Sequence, residues 1–345
     1  MQHEVTKRQN LLDKNGLIQE EGWARHPVWN YQRDRIAASW IRIKEWDYYY
    51  LLSHDKKIGL TITVSDLGYA GLMAVCFLDL QAGITKQQEV LRLLPRRRLN
   101  LPKVSSEGIV SFANKAMEIT VETSGKTRTI EIKAAKLKFF SGGQGLTAHI
   151  TLTCPENDES MNIATSWKEN RTAFYLNEKI TCMPASGTIM AGTKKIMLDP
   201  ASDFAGLDWG RGRWTYQNKW FWGSASTMLN HVPFGFNIGY GFSDRSPASE
   251  NVIFYDHRIH KLEEVTFHID TDDYTRPWRF TSSDDRLTLD FAPIVDRSSK
   301  TNFWIIQSLQ HQVFGYFSGT VILDDGKALE LDHILGFAED VFNRW

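Results

Sequence analysis

Met117-Glu118-Ile119-Thr120-Val121-Glu122-Thr123-Ser124-Gly125-Lys126 alternates apolar and polar side chains and then halts at a turn. Successive side chains of a strand point to opposite faces. Met117, Ile119 and Val121 therefore share a buried face, and Glu118, Thr120 and Glu122 a wet one. Ser124-Gly125 supplies the chain reversal. The same period recurs outward in both directions. Leu60, Ile62 and Val64 alternate with Thr61, Thr63 and Ser65, and Ile150, Leu152 and Cys154 with His149, Thr151 and Thr153. Later come Val265, Phe267 and Ile269, then Leu287, Leu289 and Phe291. Turn sequences separate the runs: Ser141-Gly142-Gly143, Ser283-Asp284-Asp285 and Asp324-Asp325-Gly326. Many short antiparallel strands predict an all-β protein of closed barrels or sandwiches, which leave few exposed edges.

Helix signals are few. Asp199-Pro200 has the form of a helix cap, and the segment from Gly336 to Trp345 reads as a helix or an irregular tail. A chain of 345 residues suggests two domains, divided here as 1–195 and 196–345. No short repeat points to a propeller or solenoid.

Charge excludes one class of partner. Forty Lys and Arg stand against 41 Asp and Glu, without the basic excess of a nucleic-acid surface. The one basic run, Arg96-Arg97-Arg98, reads as a solvated loop. Cys76, Cys154 and Cys182 are scattered and odd in number, so neither a disulfide framework nor a zinc site is expected. Reduced thiols, a polar start at Met1-Gln2-His3-Glu4 and the lack of a long apolar stretch predict a cytoplasmic protein without a membrane span.

The chemistry concentrates between Leu207 and Ser226, which hold four of the 12 tryptophans. Trp209, Trp214, Trp220 and Trp222 offer large apolar walls with one donor each. Gly210 and Gly212 permit a tight turn or a close ligand approach, and Arg211 and Arg213 suit a carboxylate, an indole face or an anchor to Asp208. Asp208, among apolar walls, is the candidate proton donor, since burial disfavours its charge. A second cluster interleaves Gly235, Gly239 and Gly241 with Phe236, Tyr240 and Phe242. Its glycines invite a neighbouring sheet or a ligand. Tyr240 and His311 are the other candidate catalytic groups, and Glu250 a ligand contact; Asp270 and Glu339 are weaker acids. His257 and His260 fall on opposite strand faces, which argues against a shared metal. No GxSxG elbow and no nucleotide motif appear, so no cofactor is expected.

At Trp23 to Pro27, Trp40 to Tyr50, Leu207 to Ser226, Phe236 to Asn251, His260 to His268, Pro277 to Ser282 and Gln310 to Trp345, the chain resembles the bacterial family called domain of unknown function 2804. The resemblance spans most of the chain and implies little about function. More distantly, the Asp208-Trp209-Gly210 and Trp220-Phe221-Trp222 pattern resembles the lipocalin-like group of carotenoid hydratases and AttH-like proteins. That resemblance implies two calycin-type β units around a ligand cavity, and acid-assisted addition or elimination of water. The hydratases carry a histidine two residues before the motif tryptophan, where this chain has Leu207.

The expected function is an enzyme acting on a hydrophobic or amphipathic small molecule, as hydratase, lyase or isomerase. The rivals are a non-catalytic carrier of a lipid-like ligand and a carbohydrate-processing enzyme. Oligomeric state is open.

Overall fold

The computed structural model describes residues 2–95, 99–139, 142–155 and 157–344. The run Arg96-Arg97-Arg98 and Ser141 of one expected turn lie outside them. The chain forms two strongly curled antiparallel half-barrels, as the period-2 pattern predicts. Helical structure among the described residues is confined to two single 3-10 turns, Arg33–Arg35 and Trp40–Arg42. None is long and apolar enough to cross a membrane.

The residues group into two compact units. One comprises Met1–Asn30, Glu159–Leu176 and Trp214–Trp345; the other comprises Tyr31–Asp158 and Asn177–Arg213. The strand Asp203–Arg213, which follows residue 195, pairs along its whole length with Ile43–Ser53 of the second unit.

In that second unit the strands run in the order Ile84–Leu93, Ala70–Asp79, Ile58–Asp66, Ile43–Ser53, Asp203–Arg213, the part of Asn170–Ala191 from residue 177 on, Gln144–Thr153, Thr127–Lys138, Met117–Ser124 and Glu107–Ala113. Met117, Ile119 and Val121 are buried while Glu118 and Glu122 are exposed, as read from the sequence. Thr61 and Ser65 are buried along with Leu60, Ile62 and Val64, so that strand is covered on both faces. Gly210 lies in mid-strand opposite Trp46, and Gly206 opposite Tyr50. A Cβ at either glycine would collide with the facing ring. These glycines therefore seat aromatic rings across a strand pair; of the two uses read for Gly210, a tight turn or a close approach, the turn does not occur, and the close approach is that of the Trp46 ring.

The first unit carries a nine-stranded sheet in the order Arg258–Lys261, Val252–Tyr255, Val232–Tyr240, Gln217–Leu229, Ala328–Arg344, Ile306–Ile322, Leu287–Phe303, Trp278–Ser282 and Val265–His268. Phe267 N–H donates to the Tyr240 hydroxyl at 3.3 Å, joining the outer strand Val265–His268 to Val232–Tyr240 and showing how far the sheet curls. Phe234, Phe236, Ile238, Trp278, Phe280, Leu289, Phe291, Val313 and Phe317 fill the concave side.

Two local expectations are corrected. Asp199 caps no helix: its carboxylate accepts from Ala201 N–H, and its carbonyl from Asp203 N–H, in a turn that leads into a strand. Residues 336–344 belong to the strand Ala328–Arg344, not to a helix or tail. From Gly336 on, that strand has hydrogen-bonded neighbours on both sides, and residues 334–341 are buried on both faces, so alternation vanishes there. Glu339, Asp340 and Asn343 are buried beside Phe337, Ala338 and Val341, so polarity along the segment does not report which face is buried.

Lys44 gives a measurable consequence of burial. Its amine donates to the carbonyls of Ile41 and Leu67 and lies 4.6 Å from the Tyr69 ring centre. Burial, assisted by Arg42, pushes it from 10.5 down to about 7. The unfolded chain then holds one more proton than the folded one between pH 7 and 10.5, so stability rises with pH across that window. The expected gain across the whole window is about 5 kcal/mol. Urea unfolding at several pH values should show the rise in the natural protein and a flatter profile in Lys44→Met. Parallel profiles would contradict it.

Candidate functional site

The sequence-predicted residues fall into four groups. On Asp203–Arg213, alternation sends Asp208 to one face and Trp209 and Arg211 to the other. Asp208 Oδ1 accepts from Asn177 Nδ2 at 2.5 Å and lies 3.1 Å from Lys179 Nζ. Arg211 is fully buried; its guanidinium lies 4.1 Å from the Trp209 ring centre and donates to Asp47 Oδ1 at 2.9 Å, Trp46 O and Pro102 O. Of the three uses read for Arg211, the structure shows the indole face of Trp209 and a carboxylate, that of Asp47; an anchor to Asp208 is ruled out because residues three apart on a strand face oppositely. Burial pushes the Asp47 carboxyl up, and Arg211 opposes it.

Trp214 and Trp220 belong to an aromatic cluster of the first unit. Trp214 stacks on Phe242 at 5.3 Å and meets Trp167, Tyr175 and Trp220 edge-on or tilted. Trp220 Nε1 donates to Glu339 Oε1 at 2.9 Å. Trp222 and Glu250 form a third group: Trp222 Nε1 donates to Asn237 Oδ1 at 2.7 Å, Asn237 Nδ2 donates to Glu250 O, and Tyr175 hydroxyl donates to Glu250 Oε2. Gly239 gives Glu250 its space, since a Cβ there would meet Oε1. Glu250, Tyr175, Tyr240, Phe242 and Arg245 line a shallow, partly open cleft.

His311 and Tyr240 reach the fourth group, at one end of the concave face of the nine-stranded sheet. His311 stands opposite Asp340, and Asp340 opposite Phe221, which in turn faces Tyr240. Residues directly opposite share a face, so these four run across the sheet as one row. Asp296 Oδ2 is 2.7 Å from His311 Nδ1. The Tyr274 ring lies parallel to the imidazole at 3.8 Å, and its hydroxyl donates to Asp340 Oδ2 at 2.9 Å. Lys219 Nζ is 3.2 Å from the same oxygen and 4.6 Å from the Phe221 ring centre. Phe221, Tyr240 and Phe267 supply an apolar floor.

The electrostatics of the row favour held protons. Burial pushes the Asp296 carboxyl up, with His311 opposing. Burial and then the bond to Asp340 push the Tyr274 hydroxyl well up. Burial likewise raises Tyr240. Both tyrosines therefore stay neutral near pH 7 and keep a proton to donate. His311 and Asp296 remain about one-fifth exposed, within reach of solvent. Among the described residues no partner holds His311 Nε2, and no cluster has the composition of a metal site.

Sequence reasoning missed Asp296, Tyr274, Asp340 and Lys219. From Leu287, Leu289 and Phe291, strict alternation would turn Asp296 outward. A bulge between Pro293 and Val295 inserts one residue and turns it inward, opposite buried Val313. Pro293 was the available signal, since proline inside a strand run marks a bulge or edge. Asp340 was hidden by the unread C-terminal strand. Tyr274 lies in a loop pinned by Asp270–Arg276 and by Trp278 Nε1 on Tyr274 O. Its neighbours carried no periodic pattern to place it.

A family comparison matches residues 2–345 to the domain of unknown function DUF2804. The chain belongs to the DUF2804 family. A comparison with curated proteins finds no match. Among solved structures, this DUF2804 chain is similar to an AttH-like protein from Nitrosomonas europaea, at 14% identity and a TM-score of 0.54, covering 92% of this chain and 98% of that one. It is also similar to CghA, at 10% identity and 0.53 over 88% of each chain; CghA has been crystallised with Sch210972. Kievitone hydratase from Nectria haematococca matches at 11% and 0.50 over 88% of each. At these identities the similarity establishes the fold.

Proposed function

We propose that this DUF2804 protein is an acid–base enzyme acting on a small amphipathic molecule at the His311 row. The observation that carries the reading is the 2.7 Å contact of Asp296 Oδ2 with His311 Nδ1 beneath a stacked Tyr274. Nδ1–H donated to the carboxylate fixes the tautomer and leaves the Nε2 lone pair as the base. Tyr274 holds the ring plane. The Tyr240 oxygen accepts from Phe267 N–H, so its own proton is available to a substrate oxygen. Lys219, about half exposed beside Asp340, suits a carbonyl or carboxylate.

Base and phenol on one face, three strands apart, fit addition or elimination of water on a conjugated substrate long enough to reach both: Nε2 takes a proton from carbon or water while Tyr240 protonates the oxygen that gains charge at the far end. The enzymatic neighbour kievitone hydratase supports this class by fold alone. Asp208, already paired with Lys179, is assigned an anchoring role. The test is a panel of unsaturated and hydroxylated small molecules incubated with the full chain, with water gain or loss read by mass spectrometry. A substrate turned over by the natural protein and left unchanged by His311→Ala supports the reading. A molecule bound and never turned over favours the carrier.

A further inference from the structure

Independently of the acid–base site, the longest hairpin ends in a feature the core does not explain. Leu287–Phe303 and Ile306–Ile322 pair from end to end. Leu287, Leu289 and Phe291 and the returning Val313, Phe317 and Val321 enter the core. Residues 298–302 are exposed, and Trp304 and Ile305 close the hairpin at 93% and 70% exposure.

Two-residue hairpin turns favour Asn, Asp and Gly, which tolerate positive φ. Here Trp304 stands at φ 50, where a bulky side chain is strained. The turn therefore keeps two large apolar residues against both local backbone preference and hydration, with no gain in core packing. It is also held in place. Tyr216, itself 42% exposed, donates its hydroxyl to Ile305 O at 2.6 Å, and Arg344 Nη2 donates to Trp304 O at 3.2 Å.

The surroundings are cationic. Residues 297–311 contain Arg297 and Lys300 and no Asp or Glu, residues 341–344 add Arg344, and residues 214–218 carry no acid. An apolar tip with a basic collar matches the boundary of an anionic bilayer. There indole and aliphatic groups enter the headgroup zone, and Lys and Arg face lipid phosphates.

We propose that the Trp304-Ile305 tip docks the protein reversibly on an anionic lipid surface. The test is co-sedimentation of the full chain with phosphatidylcholine–phosphatidylglycerol vesicles, beside vesicles of phosphatidylcholine alone. The natural protein is expected to bind the anionic vesicles, less so as salt rises. The double variant Trp304→Ser/Ile305→Ser should bind about tenfold or more weakly, and Lys300→Glu should also weaken binding. Both tip side chains are exposed, so an unchanged melting temperature should show that the variant folds. Absence of binding to anionic vesicles, or equal binding by the double variant, would overturn the proposal. So would a fall in solution mass in the double variant, which would assign the tip to a second copy of the chain.

Discussion

Replacing His311 by Ala is expected to lower turnover by about 10²–10⁴ while leaving the fold intact, because a positioned general base contributes on that scale. The imidazole is partly exposed, and its loss strands no fully buried charge. Asp296→Asn should act in the same direction through a different atom. An amide can still accept from Nδ1–H, but it no longer stabilises the imidazolium formed when Nε2 takes a proton. Tyr274→Phe keeps the ring stack and loses the bond to Asp340, so its effect should be smaller. The order His311→Ala, then Asp296→Asn, then Tyr274→Phe is the signature of a base with an orienter and a support. Turnover unchanged in His311→Ala would end the assignment.

Arg211→Met is expected to destabilise the protein by about 3–5 kcal/mol, the scale of breaking a buried ion pair from one side. Met fills much of the space, so the loss is mainly electrostatic: Asp47 keeps its carboxylate and loses its closest cation. Burial already holds the Asp47 carboxyl above its ordinary 3.8, and without Arg211 it rises further. A raised folded-state pKa means the folded chain holds the proton more tightly than the unfolded one. The variant should therefore be most destabilised at high pH and recover as pH falls through the raised value. Adding Asp47→Asn should restore part of the loss. Urea midpoints across pH read this directly, and an unchanged midpoint in Arg211→Met would contradict the buried-pair account.

The fold was legible because it rests on local alternation. Runs such as Met117 to Val121 and Leu287 to Phe291 each declare a strand unaided. The tryptophan-rich segment was legible as unusual, but composition could not say which residues meet. Asp208 and Arg211 lie three apart in sequence and on opposite faces of one strand. His311 and Tyr240 could be singled out from the sequence, yet the companions the fold gives them depend on long-range register. Asp340 faces His311 only because a strand assigned as helix or tail pairs across the sheet. Asp296 joins only because a one-residue bulge reverses its face. Such register is set by hydrogen bonds between distant segments, which no local window contains.

The most direct measurement on the proton-transfer pair is the nitrogen and ring-proton NMR of His311 in the full chain. The geometry predicts a proton on Nδ1, shifted strongly downfield by its bond to Asp296 and returned toward ordinary values in Asp296→Asn. An Nδ1 that carries no proton, or a resonance indifferent to Asp296→Asn, would contradict the pair and the acid–base function built on it.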